Sequence, residues 1–468
     1  MIGEKLTVDH GERPGERVMP GRRGWVLGLV LAWGRVLQAF GAAPDPAVER
    51  GSRAMTATGY LKPGWGDDAY RRVGQFWGEP APDPAIAPEA YSAAFIRRYG
   101  LNPAPYPNDG LPMGLRRGVN PDGTRTGIQV DCLACHGGSI GGMSHVGLGN
   151  STLDMKSLFD DLDRAQGKRP RASPFVINST RGTVNAGMLS AVLLSVRNAD
   201  LSMRRFPLPL GANLPELDVP AWWLLGKKST MYYDGRFDAR SVRANMQFLL
   251  GEKSLQELKD LEPTFRDIQA WLKSLKPPRY PFPRDAARAD RGKVVFEKAC
   301  AKCHGTYGPD GTYPNAIVEL KVIGTDPARA LGLSDRLVAH YNETWFGEEY
   351  AVDEQMIGYQ APPLDGVWAT APYLHNGSVP TLAALLKSSD RPARFKRPPS
   401  TDFAYYDQVN VGWKYEVVTE PPSPGLPPFE ARFIYDTARF GLGNGGHTFG
   451  DKLSNDERLD LIEYLKTL

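Results

Sequence analysis

The sequence predicts a mainly α-helical chain built as two small helical domains, each extended by long loop-rich insertions. Three observations predict this. The same five-residue motif, Cys-x-x-Cys-His, stands once in each half of the chain. Apolar stripes at helical spacing close each half. A run of prolines at Pro277, Pro278, Pro281 and Pro283 lies between the halves, and proline cannot continue a helix. With 50 glycines and 40 prolines in 468 residues, much of the remaining chain reads as loop. The expected division is a targeting segment over residues 1–43, a first domain over 44–282 and a second over 283–468.

The N-terminal segment has a signal-peptide order. Arg22 and Arg23 precede an apolar run from Trp25 to Trp33, and small residues follow at Gly41, Ala42 and Ala43. The run is too short to span a bilayer unless Arg35 is tolerated within it, which leaves an uncleaved anchor as the alternative. A start at Met19 would remove an unusually polar leader. No second long apolar run follows, so the expectation is a periplasmic or secreted protein with no membrane span after processing. The net charge is +3, and the six basic and four acidic side chains of residues 1–43 account for most of it. That balance gives no reason to expect a nucleic-acid partner. No internal repeat is visible beyond the two motifs.

The four cysteines are all spent on these motifs, Cys132-Leu-Ala-Cys135-His136 and Cys300-Ala-Lys-Cys303-His304. The spacing is that of c-type haem attachment. One helical turn separates two thiols that add to the haem vinyl groups, and the next residue offers an imidazole to the iron. A four-cysteine zinc site leaves both histidines unexplained. A redox dithiol needs one pair in a thioredoxin-like setting, and disulfides rarely span two residues. Two covalently bound haem c groups, each with its iron, are therefore expected, with His136 and His304 as proximal ligands.

The flanking helices follow. Gly292, Phe296 and Cys300 recur every four residues, so a helix beginning near Asp285 leads into the second motif. Ser454 to Glu457 is a capping box, and Leu461, Ile462, Leu465 and Leu468 line the helix it starts. A leading helix and a closing helix crossing beside the haem form the core of a cytochrome c-like domain. In the first half, Phe265, Ile268, Trp271, Leu272 and Leu275 make the closing stripe. The chain is about twice as long as two minimal cytochromes require. The surplus either covers haem edges or builds a substrate pocket.

Haem iron takes His on one side and His, Met or nothing on the other. After His136 and His304, the candidates are His145, His340, His375 and His447, since His10 falls in the leader. His447 sits in a glycine-rich loop, Gly445-Gly446-His447-Thr448-Phe449-Gly450, where the backbone can approach closely. It is the favoured ligand, with a solvated loop histidine as the alternative. His375 reads equally as a ligand or as a hydrogen-bond partner. His145 or Met143 reaches the first iron only if the loop after His136 folds back. His340 reads as a satisfied histidine on a helix.

The run from Gln360 through Trp368-Ala-Thr-Ala-Pro-Tyr373-Leu-His375-Asn-Gly-Ser378 to Leu382 resembles the bacterial dihaem cytochrome c peroxidase superfamily. Within it, the chain is most similar to the rubber oxygenase branch. Ala221-Trp222-Trp223, Met231 to Gly235, the linker Ser274 to Pro283, Gly446-His447 and Leu461 to Leu468 match as well. The resemblance implies a division of labour. The His136 haem would keep an open face for dioxygen or peroxide, and the His304 haem, with His447 opposite, would handle electrons. Trp222, Trp223 and Phe237 would wall an apolar catalytic pocket over the first haem, against core packing as the plain alternative. The implied substrate is an alkene-rich polymer or other apolar molecule, and a small cytochrome is a possible electron donor. The chain looks shorter than rubber-cleaving members, and neither Met356 nor Tyr359 aligns with the peroxidase ligand. A hydrogen peroxide reductase and a non-enzymatic electron carrier are the rival readings.

Overall fold

The computed structural model describes residues 45–171, 178–209 and 211–468. The signal-peptide reading of residues 1–43 lies outside them. Residues 45–468 form one compact unit rather than two plainly separate bodies. Helix accounts for 37% and strand for 12%, so "mainly α" is too strong. The glycine- and proline-rich insertions fold as loops pinned by short antiparallel strand pairs, because short segments between turn residues pair more readily than they coil.

The elements that position the motifs are few. They are α1 (Pro46–Ala57), β1 (Leu115–Val119), β2 (Arg125–Val130), α2 (Leu133–His136), β3 (Gly137–Ile140) and β4 (Met143–Val146). In the second half they are α3 (Leu255–Ser274), α4 (Ala286–Ala299), α5 (Ala301–His304) and α6 (Asn455–Leu465), α3 closing the first half. α4 begins at Asp285, whose carboxylate caps it. α6 carries the expected capping box between Ser454 and Glu457. α3 starts earlier than its apolar stripe suggests, at a second capping box of Ser254 and Glu257, and holds Pro263 inside its third turn.

Two helix crossings repeat one design. α4 crosses α6 at Gly292, where any Cβ would collide with the carbonyl of Asp460. Next to that glycine, Arg291 forks onto the Asp460 carboxylate at 2.8 and 2.9 Å. α1 crosses α3 in the same way: a Cβ at Gly51 would collide with the carbonyl of Asp267, and Arg50 forks onto Asp267 at 2.7 and 2.8 Å. The closing segments match in residue or residue type at seven of nine positions, Asp267-Ile-Gln-Ala-Trp271-Leu-Lys-Ser-Leu275 against Asp460-Leu-Ile-Glu-Tyr464-Leu-Lys-Thr-Leu468. The chain therefore holds an internal repeat that inspection of the sequence for repeats missed, because an Arg-Gly pair and a distant Asp gain meaning only where they meet.

The halves differ in how the leading helix reaches its motif. α4 runs straight into Cys300, whose amide donates to Phe296. α1 ends at Ala57, far upstream of Cys132. Arg116 on β1 closes that gap: its guanidinium donates to Met55 and Thr56 carbonyls at the end of α1 and to Asp131 beside Cys132, at 2.9, 2.7 and 2.8 Å. Arg116 is 1% exposed. Among the described residues, no helix is long and apolar enough to cross a membrane.

Candidate haem-binding sites

Both motifs adopt the turn that haem attachment requires. The His136 amide donates to Cys132 at 3.0 Å, and the His304 amide donates to Cys300 at 3.0 Å. All four cysteines are free thiols. Burial pushes Cys132 and Cys135 up to about 12 and Cys300 up to about 11. A redox dithiol works through a thiolate, which these surroundings disfavour. Among the described residues, no three His, Cys, Asp or Glu side chains group to hold a metal ion, so the two cysteine pairs do not converge.

At the second motif, His304 donates through Nδ1 to the Pro362 carbonyl at 2.8 Å. That bond fixes the tautomer and leaves Nε2 with its lone pair for a metal. The His447 ring stands across from it with ring centroids 6.2 Å apart. Metal–imidazole bonds of about 2 Å put two rings on opposite sides of one metal about 6 Å apart. The pair thus fits a haem iron with His on both sides. Burial lowers His304, and burial followed by repulsion between the two rings lowers His447 to about 4, which favours the neutral, ligating form of each. His447 takes a left-handed backbone (φ 45°) next to Gly446 (φ 72°), whose Cβ would collide with Gly324. The loop is held by Arg391, which donates to the carbonyls of Asn444, Gly446 and His447 at 2.7, 2.6 and 3.1 Å. Arg391 had no signal in the sequence, because its partners are all backbone carbonyls.

The first motif is different. Burial drives His136 down to about 3, against a smaller opposing effect of the Pro220 carbonyl. Trp222 stacks on the His136 ring, centroids 4.3 Å apart and planes 17° from parallel. An indole thus lies flat against the His136 imidazole. Phe237 packs edge-on to Tyr232 and Tyr341 at 4.8 and 5.3 Å, in the same core as Leu133 of the motif and Trp222. Trp223 turns the other way: it joins the second core with Phe296 and Leu461, and its Nε1 donates to the Asp365 carbonyl at 2.8 Å. The Trp222-Trp223 dipeptide thus straddles the two cores. No described histidine ring stands against His136 as His447 stands against His304.

The remaining candidates fall into place around these sites. The hairpin β3–β4 turns at Gly141 and Gly142, both at positive φ, and sets His145 opposite Gly138 with its Nε2 buried and unbonded. His375 stacks on Tyr359, centroids 4.2 Å apart, and is pushed by burial to about 3. Tyr359 donates to the Asp326 carbonyl at 2.6 Å and is used up by that bond and stack. His340 bonds the Arg197 carbonyl at 2.9 Å as a satisfied buried histidine. One stretch joins the two sites: Pro362 holds His304 and Asp365, three residues on, holds Trp223. These carbonyl acceptors carry no side-chain signature and were invisible in the sequence.

Residues 358–396 match the family model for RoxA-like, cytochrome c-like domains. The matched stretch contains Pro362, Asp365 and His375 but neither Cys-x-x-Cys-His motif. The chain is 32% identical over 295 residues to the uncharacterized protein y4iM of Sinorhizobium fredii, covering 53% of this chain and 64% of that protein. It is 30% identical over 281 residues to the uncharacterized protein y4iJ of the same organism, covering 46% and 44%. The chain thus spans less than two thirds of the length of these relatives. A cytochrome c-like domain is present, and such a domain implies covalently bound haem c in a cytochrome-type oxidoreductase.

Proposed function

We propose that the protein is an exported dihaem oxidoreductase of the rubber oxygenase-like branch, within the dihaem cytochrome c peroxidase superfamily. It activates dioxygen or peroxide at the His136 site and acts on an apolar, alkene-bearing molecule or polymer. The observation that carries this reading is the asymmetry of the two sites: His447 faces His304, while no described histidine faces His136. When bound, haem c supplies a one-electron couple at each site and a place for a small oxidant wherever one side of the iron is free.

The chain's own residues divide the task. His304 and His447 would hold one haem from both sides, an arrangement that would suit electron storage and leave no place for substrate. Pro362 fixes the His304 tautomer. Trp222 holds the His136 ring in place by stacking and, with Trp223 and the Pro362–Asp365 stretch, offers a short route between the sites. Phe237, Tyr232 and Tyr341 supply an apolar, aromatic wall in the His136 core that keeps water away. A small cytochrome is the proposed electron donor.

Ligand access tests the reading. Optical and EPR spectra of the haem-loaded chain would be taken ferric, half-reduced and fully reduced, with and without cyanide or carbon monoxide. The expected result is one site that binds external ligand as isolated, and a second that binds none. His447→Ala should abolish the six-coordinate signature of the second site and leave ligand binding at the first intact. Opening only on half-reduction would favour a hydrogen peroxide reductase. Two sites that ignore ligand in every state would make the protein an electron carrier.

A further inference from the structure

A cavity that begins two residues from Asn150, whose amide donates to the Cys135 carbonyl at 2.7 Å, has an unusual charge inventory. It lies where the first-half segment of Thr152 and Arg181 meets the second-half strand Arg394–Lys396 and the segment after it. Arg181, Arg397 and Asp218 line it, with Phe395 and Phe433 as apolar walls. The Arg181 side chain is 6% exposed, and its nearest carboxylate, Asp154 at 3.6 Å, is already forked onto by Arg432 at 3.0 and 3.3 Å. Arg397 donates Nη2 to the Ser151 carbonyl and has no carboxylate within ion-pair distance among the described residues. Its Nη1 is buried with no partner, as is Nη2 of Arg181.

Burying an unpaired cation costs several kcal/mol unless a counter-charge is supplied. Burial, and then the charge of Arg181, lowers Arg397 to about 10, still well above neutral pH, so it stays charged. The one carboxyl in the lining, Asp218, makes no ion pair with either arginine: loss of water pushes it up, against smaller opposing effects of the Val219 amide and the Arg397 charge. A guanidinium fork and aromatic walls together suit a planar anion with an apolar end.

We infer that this cavity binds a carboxylate, held by Arg397 with Arg181 as the second charge. The carboxylate comes from one of two sources, a free small organic acid or a propionate of a bound haem. The inference does not depend on the oxygenase reading.

Thermal unfolding of the haem-loaded full chain, with sodium acetate against sodium chloride at equal ionic strength, tests it. Acetate should raise the melting temperature saturably where chloride does not. Arg397→Gln should weaken acetate at least tenfold, Arg397→Lys less, with haem content and Soret band unchanged. If the Gln variant does not fold, wild type and Asp218→Asn decide: both should respond to acetate. No response in wild type, but a haem midpoint shift in Arg397→Gln, would assign the carboxylate to haem propionate and overturn the free-acid source. A response that appears only in Asp218→Asn would show that Asp218 itself is the counter-ion and overturn the site. No acetate response and no midpoint shift would overturn it as well.

Discussion

The two histidines that end the haem motifs stand in opposite situations. His304 has a carbonyl behind it and a second imidazole in front. His136 has an indole pressed against its flank, and no described histidine stands opposite. The motif is the same in both halves and so is the helix crossing beside it. What differs is the chain that comes back over each site: a glycine loop clamped by Arg391 in the second half, an aromatic-rich insertion in the first. The lesson is that attachment and coordination are separately encoded. A pentapeptide sets where a haem is fixed, and remote loops set what its iron can bind.

The comparison can be broken hardest at Arg116. Truncating it to Ala leaves Asp131 and the end of α1 without their buried partner, at an expected cost of about 3–5 kcal/mol. Chemical unfolding should show that loss, with the first site's haem content falling before the second's. The crossings come next. Gly51→Ala and Gly292→Ala each force a methyl against a backbone carbonyl, at about 1–3 kcal/mol, and equal losses would confirm that the crossings are equivalent. Trp222→Leu should slow electron transfer between the sites about tenfold in stopped-flow traces. The second site's six-coordinate spectrum should not change, because Trp222 stacks on His136 and not on His304 or His447.

The smallest effect is acid weakening of the crossings. Hydrogen bonds from Arg50 and Arg291 hold Asp267 and Asp460 below the usual carboxyl range. Their contribution is present above the unfolded carboxyl value, about pH 4, and is lost as pH falls through the depressed folded values. Arg50→Gln and Arg291→Gln should therefore lower the melting temperature slightly at pH 6, and the gap to wild type should close in acid. A gap that persists at low pH would show that packing at the glycines, not charge, carries the crossings.

How much of this was legible depends on distance along the chain. The haem motifs, the Asp285 start of α4 and the Ser454 capping box were readable because each lies within a few consecutive residues. His447 was found by elimination and by its glycines. The stacking of Trp222 on His136 was not readable, since adjacent indoles point to different cores only once the backbone is fixed. The second crossing partner of α3 was missed for the same reason: nothing near Pro46 hints at a helix whose motif lies so far downstream. The carbonyls of Pro362 and Asp365 leave no trace in a sequence at all.

Arg116 has one more consequence. In the second half a continuous helix ties the crossing to the haem motif, so any insertion between them would move one against the other. In the first half three hydrogen bonds from a single side chain make that tie. The intervening loops are thereby released from keeping distance, and lengthening a loop costs little once its ends are held. The first half is the one in which new chain can be added around a haem without disturbing its seat, which makes it the natural place for specificity to diverge while the second half stays constant.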